Sequence, residues 1–330
     1  MPIALTCGEP ASIAPEITAK AWQALCGEPG AEFFLIGDAD YYGARAKAAG
    51  LPIAVAKIGQ PSDAASHFKT ALPVLHRPLS AQPKAGVIDP RTARAVVSAI
   101  DEAVDLARTG MVSALVTNPI QKEALYGAGF KHQGHTDYLA ALAGCEGQEV
   151  MMLVAGDLRT IPVTVHIPLK DVAQSLTEGA IVAQARTVAQ GLKKHFSIAR
   201  PRLAFTGLNP HAGENGAMGH EELTVIIPAL DRLRGAGFTV LGPLPADTAF
   251  HAEARASYDA ILCMYHDQAL IPVKTLDFHG GVNVTLGLPF VRTSPDHGTA
   301  LGIAGTGTAN PQSLIAALKL ARHMVAASRG

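Results

Sequence analysis

The sequence predicts an α/β fold with a largely parallel central sheet. Two observations predict it: short apolar runs alternate with helical periodicities along the chain, and these runs lack strict alternation of apolar and polar residues. Strands that are buried on both faces, as in parallel sheets, have this pattern. With 330 residues, 48% of them apolar, the chain is long enough to form two domains.

The individual elements follow in chain order. The predicted strands are eight apolar runs, at residues 3–8, 33–38, 113–118, 150–156, 162–167, 202–209, 260–266 and 282–288. One helix is predicted within residues 89–110, because its apolar residues, at 93, 96, 97, 100, 104 and 107, recur at helical spacing. Asp89 is its expected N-cap, Pro90 suits its first position, and Gly110 ends it. The last helix is expected to begin in the same way, at Asn310.

Composition argues against two classes of partner. The formal net charge is −1 and basic residues do not cluster, so nothing predicts binding to nucleic acid or to a membrane. No apolar run approaches the length of about 18 residues that a membrane helix needs. The amino terminus lacks the basic and apolar regions of a signal peptide. Four scattered cysteines without a paired spacing favour reduced thiols and a cytoplasmic protein.

Three histidines, His166, His211 and His266, stand at the carboxyl ends of predicted strands. Ligands of open α/β sheets bind beyond those ends. Three converging imidazoles would form a metal site that keeps open positions for substrate, as catalytic sites do. Their wide spacing in the sequence is not a local metal motif, so each histidine could instead cap a helix or satisfy a backbone group.

Two acids, Asp247 and Asp267, lie near the predicted strand ends. Each could orient a metal-binding histidine, act as a general base, or cap a helix. For Asp247, the sequence favours a cap on the helix that follows it.

Five residues are candidate contacts for an anionic substrate: His135, Thr136, Lys274, Asn283 and Arg292. The first two stand at an expected helix start, where free N–H groups and the helix dipole attract anions. A guanidinium together with an ammonium suits a phosphate or a carboxylate. The alternatives are a solvated helix face for Lys274 and an ion pair with Asp296 for Arg292.

Six segments carry a resemblance to a known family: "GEPASIAPEI" (8–17), "TNPIQKEAL" (117–125), "GHTDYLA" (134–140), "LNPHAGENGAMGHEE" (208–222), "GPLPADTAF" (242–250) and the long block 264–307. In these segments the sequence resembles the 4-hydroxythreonine-4-phosphate dehydrogenase family of pyridoxal 5′-phosphate (vitamin B6) biosynthesis. The matching segments span nearly the whole chain in the family's order.

The resemblance implies oxidation of the 3-hydroxyl of 4-phosphooxy-L-threonine with NAD or NADP as the acceptor. The product, 2-amino-3-oxo-4-phosphooxybutanoate, would lose CO2 to give 3-amino-2-oxopropyl phosphate. The resemblance also implies a divalent metal (zinc, magnesium or cobalt) that polarises the hydroxyl. It further implies a homodimer with the active site at the subunit interface.

The resemblance assigns roles to the candidate residues. It implies metal binding by His166, His211 and His266. It implies substrate binding by His135, Thr136, Lys274, Asn283 and Arg292. Asp247 and Asp267 stay open between proton transfer and the orientation of a ligand.

The C-terminal segment 296–318 is also similar to the adenosine-binding loop of isocitrate and isopropylmalate dehydrogenases. That similarity implies cofactor contacts from His297, Gly298, Thr299 and Asn310. It would explain why the chain has no glycine-rich Rossmann fingerprint. Gly302 stands where that group, and commonly this family, has an aspartate that could hold an adenosine ribose hydroxyl and repel a 2′-phosphate. The choice between NAD and NADP therefore stays open.

The same similarity implies a fold of two α/β/α domains with the active-site cleft between them. Residues 1–128 with 293–330 would form the nucleotide side. Residues 129–292 would form the central domain, with the metal, the substrate and the dimer interface.

Other functions stay open at this point. A paralogue could oxidise a four-carbon sugar-acid phosphate, such as threonate or erythronate 4-phosphate. The same residue types would suit a metal-dependent aldolase or phosphohydrolase. A non-catalytic binding protein for phosphorylated metabolites is also conceivable, although simple binding would not need an open metal site.

Overall fold

The computed structural model describes three stretches of the chain: residues 1–127, 129–132 and 134–329. They divide into two compact units, and each is an α/β structure. The first unit is Met1–Gly147 with Leu288–Arg329, and the second is Gln148–Gly287. Among the described residues, no helix is both long and apolar enough to cross a bilayer.

The limits of these units differ from the boundaries suggested by the sequence. Residues 129–147 and 288–292, which the sequence placed in the central domain, belong to the first unit. The tyrosine hydroxyl of Tyr138 ties this stretch to the first unit, because it donates a short hydrogen bond to Asp101. The boundary suggested at residue 128 lies outside the described residues.

The described part of the first unit contains a parallel sheet. Its strands are β1 (Ile3–Thr6), β2 (Phe33–Gly37), β3 (Val55–Ile58), β4 (Leu72–His76), β5 (Ala114–Val116) and β12 (Arg292–Pro295). They lie in the order β3-β4-β2-β1-β5-β12, and each neighbouring pair is parallel. β1, β2 and β5 are buried at every position. Since successive residues point to opposite faces, both faces of the sheet are covered.

The helices of the first unit are α1 (Ala14–Leu25), α2 (Ala39–Ala48), α3 (Ala64–His67), α4 (Ala93–Arg108), α5 (Lys122–Gly127), α6 (His135–Ala143) and α12 (Gln312–Ala327). α4 and α12 pack on the central strands, and α1 packs on α12. The two predicted helix starts are present. Asp89 accepts a hydrogen bond from the backbone of Arg91 in a 3₁₀ turn before α4, and Asn310 accepts one from Gln312.

The second unit contains a mixed sheet. Its strands are β6 (Val150–Ala155), β7 (Leu158–Thr164), β8 (Arg202–Thr206), β9 (Thr239–Leu244), β10 (Ala260–Tyr265) and β11 (Val282–Leu286). Along the order β11-β6-β7-β10-β8-β9, the last four strands are parallel and the pairs β11–β6 and β6–β7 are antiparallel. Only two residues join β6 to β7, too few for the crossover that a parallel pair needs.

The helices of the second unit are α7 (Val172–Ser175), α8 (Glu178–Phe196), α9 (Ile227–Gly235), α10 (Ala252–Arg255) and α11 (His266–Leu276). α11 packs on β7 and β10, and α8 packs on α9 and on the antiparallel strands. The predicted α/β class is therefore confirmed. The carboxyl ends of β7, β10 and β8 form one continuous edge of this sheet, and the three predicted metal ligands follow these strands.

Candidate active site

Each predicted metal ligand follows one of three neighbouring parallel strands. His166 comes after β7, His266 directly after β10, and His211 after β8. The rings of His166 and His266 lie 5.6 Å apart between centroids. Both rings line a cavity of about 220 Å³ together with Thr164 and Tyr265. Neighbouring strand ends thus place two nitrogen donors of a kind that zinc and cobalt prefer in one cavity.

His211 does not lie close to these two histidines. Its side chain is 65% exposed, and Nδ1 lies 3.9 Å from a carboxylate oxygen of Glu214. Within the described stretches, the three histidines do not form a group whose donor atoms all lie within 4.8 Å of one another. The three-histidine site therefore stays a prediction, with two of its members adjacent in this structure.

The backbone around two of these histidines has an unusual conformation. His166 has φ of 50° and His211 has φ of 54°, both in the left-handed region. His211 begins five successive left-handed residues, which end at Asn215. Each non-glycine residue in this region costs about 1 to 2 kcal/mol, so the surrounding structure has to hold the turn in place. Residues held in this way cluster at functional sites.

Glu222 provides that support. Its buried carboxylate accepts hydrogen bonds of 2.8 Å from the backbone N–H groups of Leu208 and Asn209, just before the left-handed turn. The Asn209 side chain donates to the same carboxylate over 2.9 Å. A Cβ atom on Gly213, within the turn, would lie only 2.5 Å from the other oxygen of Glu222. The turn is therefore built closely around this one side chain, which the sequence did not single out.

Asp267 lies in position to orient its neighbour. A carboxylate oxygen of Asp267 is 2.7 Å from Nδ1 of His266. Because a carboxylate accepts hydrogen bonds, this contact places the imidazole hydrogen on Nδ1 and leaves the Nε2 lone pair for a metal. Asp267 also lines a largely apolar cavity of about 440 Å³.

Asp247 lies in the wall of the same cavity and is exposed. The prediction that it caps the following helix is wrong. The N-cap of α10 is His251, whose Nδ1 accepts the hydrogen bond from the Ala254 backbone. Asp247 lies instead in a separate 3₁₀ turn, Ala246–Thr248, which ends before α10 begins at Ala252.

In the first unit, a second group of residues is suited to an anion. Arg292 is buried and its guanidinium donates a 2.7 Å hydrogen bond to the hydroxyl of Thr117. Burial lowers the pKa of Arg292 to about 9, so it stays charged at neutral pH. Burial, with the charges of Arg292 and Lys122, holds the pKa of His135 well below its ordinary value. His135 is therefore uncharged, and the positive charge of the group comes from Arg292 and Lys122.

Two predicted substrate residues have buried polar atoms without a hydrogen-bond partner, namely Nε2 of His135 and Oδ1 of Asn283. Such atoms are rare in folded proteins and are typical of sites where a ligand or water completes the bonding. Thr136 lies half-buried in the first turn of α6, next to His135. The ammonium of Lys274 lies 5.4 Å from the ring centre of Phe278.

Sequence reasoning did not single out Thr117 and Lys122. Both lie in the segment "TNPIQKEAL", which was noted only as part of the family resemblance. Thr117 belongs to the group because its Oγ1 accepts a hydrogen bond from Arg292. Lys122 belongs to it because its Nζ lies close to Gly134, just before the start of α6.

The residues predicted to contact the cofactor already have structural roles. Nδ1 of His297 lies 3.0 Å from the carbonyl of Gly298. Thr299 is buried and donates a hydrogen bond to Gln121, and Asn310 accepts one at the start of α12. Space beside Gly298 and Gly302 is open, since a Cβ atom built on either would meet nothing within 4 Å.

A further cluster of potential ligands, Asp38, Asp40 and His76, is explained by helix capping. Asp38 accepts hydrogen bonds from two backbone N–H groups at the start of α2 and from that of Leu79. His76 accepts one from Ala39 through Nδ1, and Asp40 pairs with a lysine. Each of the three side chains therefore has a structural partner, so the cluster does not require a metal.

Known proteins match this chain along nearly its whole length. The family model described as "Pyridoxal phosphate biosynthetic protein PdxA" matches residues 30–321. A 4-hydroxythreonine-4-phosphate dehydrogenase of Bradyrhizobium diazoefficiens is 52% identical, over 99% of this chain and 97% of that relative. A relative of the same name from Methylorubrum extorquens is 53% identical, over 98% of this chain and 94% of that relative.

The solved structures agree with the sequence relatives. The crystal structure of 4-hydroxythreonine-4-phosphate dehydrogenase from Klebsiella pneumoniae is 38% identical and has a TM-score of 0.89 to this chain. The alignment covers 98% of this chain and 99% of that one. The chain therefore belongs to the PdxA family of pyridoxal phosphate biosynthetic proteins.

Proposed function

We propose that this chain oxidises the 3-hydroxyl of 4-phosphooxy-L-threonine with NAD or NADP, in vitamin B6 biosynthesis. Hydride passes from the substrate carbon to the nicotinamide, and the hydroxyl proton passes to a base. The resulting 2-amino-3-oxo-4-phosphooxybutanoate loses CO2 to give 3-amino-2-oxopropyl phosphate. The observation that carries the proposal is the identity of half of all residues, over essentially the full chain, with relatives named for this reaction.

The group in the first unit suits the phosphate of that substrate. Arg292 and Lys122 supply positive charge, and His135 supplies one uncharged imidazole with a buried, unpartnered Nε2. Charge-assisted hydrogen bonds from a guanidinium fit phosphate oxygens well. We propose that Thr136, Lys274 and Asn283 complete the binding of the substrate. Binding energy at the phosphate would position the carbon that reacts.

The histidines of the second unit suit a divalent metal. His166 and His266 offer two imidazole nitrogen donors in one cavity, and Asp267 leaves Nε2 of His266 available. We propose that His211 is the third ligand, presented by its left-handed turn. A metal bound there would act as a Lewis acid on the substrate hydroxyl. Asp247, in the wall of the neighbouring cavity, remains a candidate for proton transfer.

The assay that tests this function compares substrates. The purified protein, supplied with zinc, magnesium or cobalt, is offered 4-phosphooxy-L-threonine or threonate 4-phosphate with NAD or NADP. We expect faster reduction of the cofactor, followed at 340 nm, with the amino-acid phosphate. Faster turnover of the sugar-acid phosphate would indicate the paralogous dehydrogenase. Product formation without a change in absorbance would indicate an aldolase or a phosphohydrolase.

The choice between cofactors can be tested at Gly302. We expect Gly302→Asp to shift the preference toward NAD, because a carboxylate there would bind a ribose hydroxyl and repel a 2′-phosphate. The substitution fits, since a side chain at this position meets open space. The measurement is the ratio of kcat/KM for NAD to that for NADP, which should rise about tenfold or more. Gly302→Asn, which has a similar shape without the charge, is the matched control and should change the ratio less.

Support of the His211 turn can be tested at Glu222. We expect Glu222→Gln to weaken metal binding about tenfold, since the loss of an orienting partner typically costs a metal site about 10- to 100-fold. The measurement is metal affinity by competition with a chelator. Glu253→Gln, on the exposed helix α10, serves as control. Unchanged metal affinity in a folded Glu222→Gln variant would show that the turn does not depend on this carboxylate.

We further propose that the protein acts as a cytoplasmic homodimer with its active site at the subunit interface. The family resemblance supports the dimer. The four cysteines, all free thiols, support a reducing compartment. Light scattering of the purified protein measures the mass in solution.

A further inference from the structure

Glu16, on helix α1, binds a loop within the segment 296–318, whose similarity to an adenosine-binding loop was noted in the sequence. The loop runs from Gly305 to Ala309 and is called the clamped loop below. The Glu16 side chain is fully buried, with 0% exposure. One carboxylate oxygen accepts a short hydrogen bond from the backbone of Gly305, and the other accepts one of 2.9 Å from Gly307. Both oxygens of a buried acid are therefore bound to peptide groups almost three hundred residues away in the sequence.

Lys20, one turn further along α1, binds the same loop. Its ammonium donates hydrogen bonds to the carbonyls of Gly307, over 2.8 Å, and of Ala309, over 2.6 Å. Glu16 thus binds N–H groups of the clamped loop and Lys20 binds its carbonyl groups. The two side chains together satisfy four backbone groups that no strand or helix pairs.

The fit of the clamped loop leaves little freedom for its backbone. Gly305 has φ of 85° and Gly307 has φ of 74°, which only glycine adopts easily. A Cβ atom on Gly305 would lie 2.6 Å from the Ala85 side chain, and one on Gly307 would lie 2.4 Å from the Ala49 carbonyl. Between them, Thr306 and its neighbour Thr308 are exposed. Glu16 and Lys20 therefore hold the loop backbone from the side of α1, and the two threonine side chains on the loop stay accessible to solvent.

We propose that Glu16 and Lys20 are positioning residues that hold the clamped loop in the conformation that binds the adenosine part of NAD or NADP. This inference rests on the proposed dehydrogenase function and on the similarity of residues 296–318 to an adenosine-binding loop. Glu16 does not reach the ligand, because its carboxylate is fully buried against the loop. Its effect is preorganisation: a loop already held in its binding conformation loses less entropy when the dinucleotide binds.

Glu16→Gln is the most direct test. The amide keeps the shape of the side chain but has one acceptor oxygen, so its NH₂ group would face the N–H of Gly305 or Gly307. Lys20→Met removes the ammonium and keeps most of the stem, and Lys20→Arg restores the charge. Gln23→Ala, on the exposed side of α1, is the matched control. All are measured as the full-length protein.

We expect Glu16→Gln and Lys20→Met to weaken NADH binding, measured by cofactor fluorescence, by about tenfold. The KM for NAD should rise similarly, while the KM for 4-phosphooxy-L-threonine changes less than about twofold. The amides of Gly305 and Gly307 should exchange hydrogen faster in Glu16→Gln, and Lys20→Arg should recover most of the affinity. Gln23→Ala should behave like the wild type.

Two outcomes would overturn the inference. In one, the wild type binds NADH and the folded Glu16→Gln and Lys20→Met variants bind it equally well, in which case the proposed function stands and the clamp has no role in cofactor binding. In the other, the affinities for NADH and for the phosphorylated substrate fall equally, which indicates general destabilisation. A wild-type protein that bound neither NADH nor NADPH would contradict the proposed function itself, and the inference with it.

Discussion

His266→Ala is expected to abolish metal binding and dehydrogenase activity while the fold stays intact. His266 is the first residue of α11, directly after β10, and its ring is half-buried in the cavity that it shares with His166. Its Nδ1 is hydrogen-bonded to Asp267, so the metal would bind through Nε2. Loss of one of the three proposed nitrogen ligands would leave too few donors to hold the ion.

The measurements separate metal loss from unfolding. Metal content by mass spectrometry should fall to background in His266→Ala, and turnover should fall at least about a thousandfold, since a Lewis acid supplies several kcal/mol to the barrier. The circular dichroism spectrum and the melting temperature without metal should match those of the wild type. His323→Ala, an exposed histidine on α12, is the control. A His266→Ala protein with normal metal content and normal rate would refute the metal assignment.

Asp267→Asn separates the two roles left open for that residue. If Asp267 only orients His266, the amide oxygen can still accept from Nδ1 and metal affinity should fall modestly. If Asp267 transfers a proton, turnover should fall much further than metal affinity.

The fold was predictable wherever burial follows local sequence. Each of the eight predicted apolar runs overlaps a strand, although β7 begins four residues before its run. The strands that were not predicted are β3, β4, β9 and β12, and their sequences depart from the apolar pattern. β9 contains a Gly-Pro pair, β4 contains a proline, and β12 reads "RTSP" although every one of its residues is buried. Burial of the polar strand β12 depends on long-range packing, which no local window of sequence contains.

The candidate site, like the fold, was only partly predictable from local sequence. The rule that ligands bind at the carboxyl ends of parallel strands selected His166, His211 and His266, and the structure places all three after neighbouring strands. The same reasoning did not find Glu16 or Glu222, because a buried acid looks like any other acid in a sequence. Their functions become visible only when their partners are known, and those partners are backbone groups of other segments.

Arg292→Ala is expected to raise the KM for 4-phosphooxy-L-threonine about tenfold to a hundredfold. Arg292 is 2% exposed, and its guanidinium is fixed by Thr117 beside His135 and Lys122. Loss of a charge-assisted hydrogen bond to a phosphate costs about 1.5 to 3 kcal/mol, which corresponds to that range of affinity. If the phosphate grip also positions the reacting carbon, kcat will fall as well.

Companion variants show which property of the arginine matters. Arg292→Lys keeps the charge and loses the planar fork, so it should recover only part of the affinity. Thr117→Val keeps the shape of the threonine and removes the oxygen that holds the guanidinium, so it should raise the same KM by a smaller factor. The KM for the nicotinamide cofactor should stay within about twofold in all three variants. A rise in the cofactor KM with an unchanged substrate KM would indicate that Arg292 binds the nucleotide and not the substrate phosphate. The assignment of this group to the substrate would then be wrong.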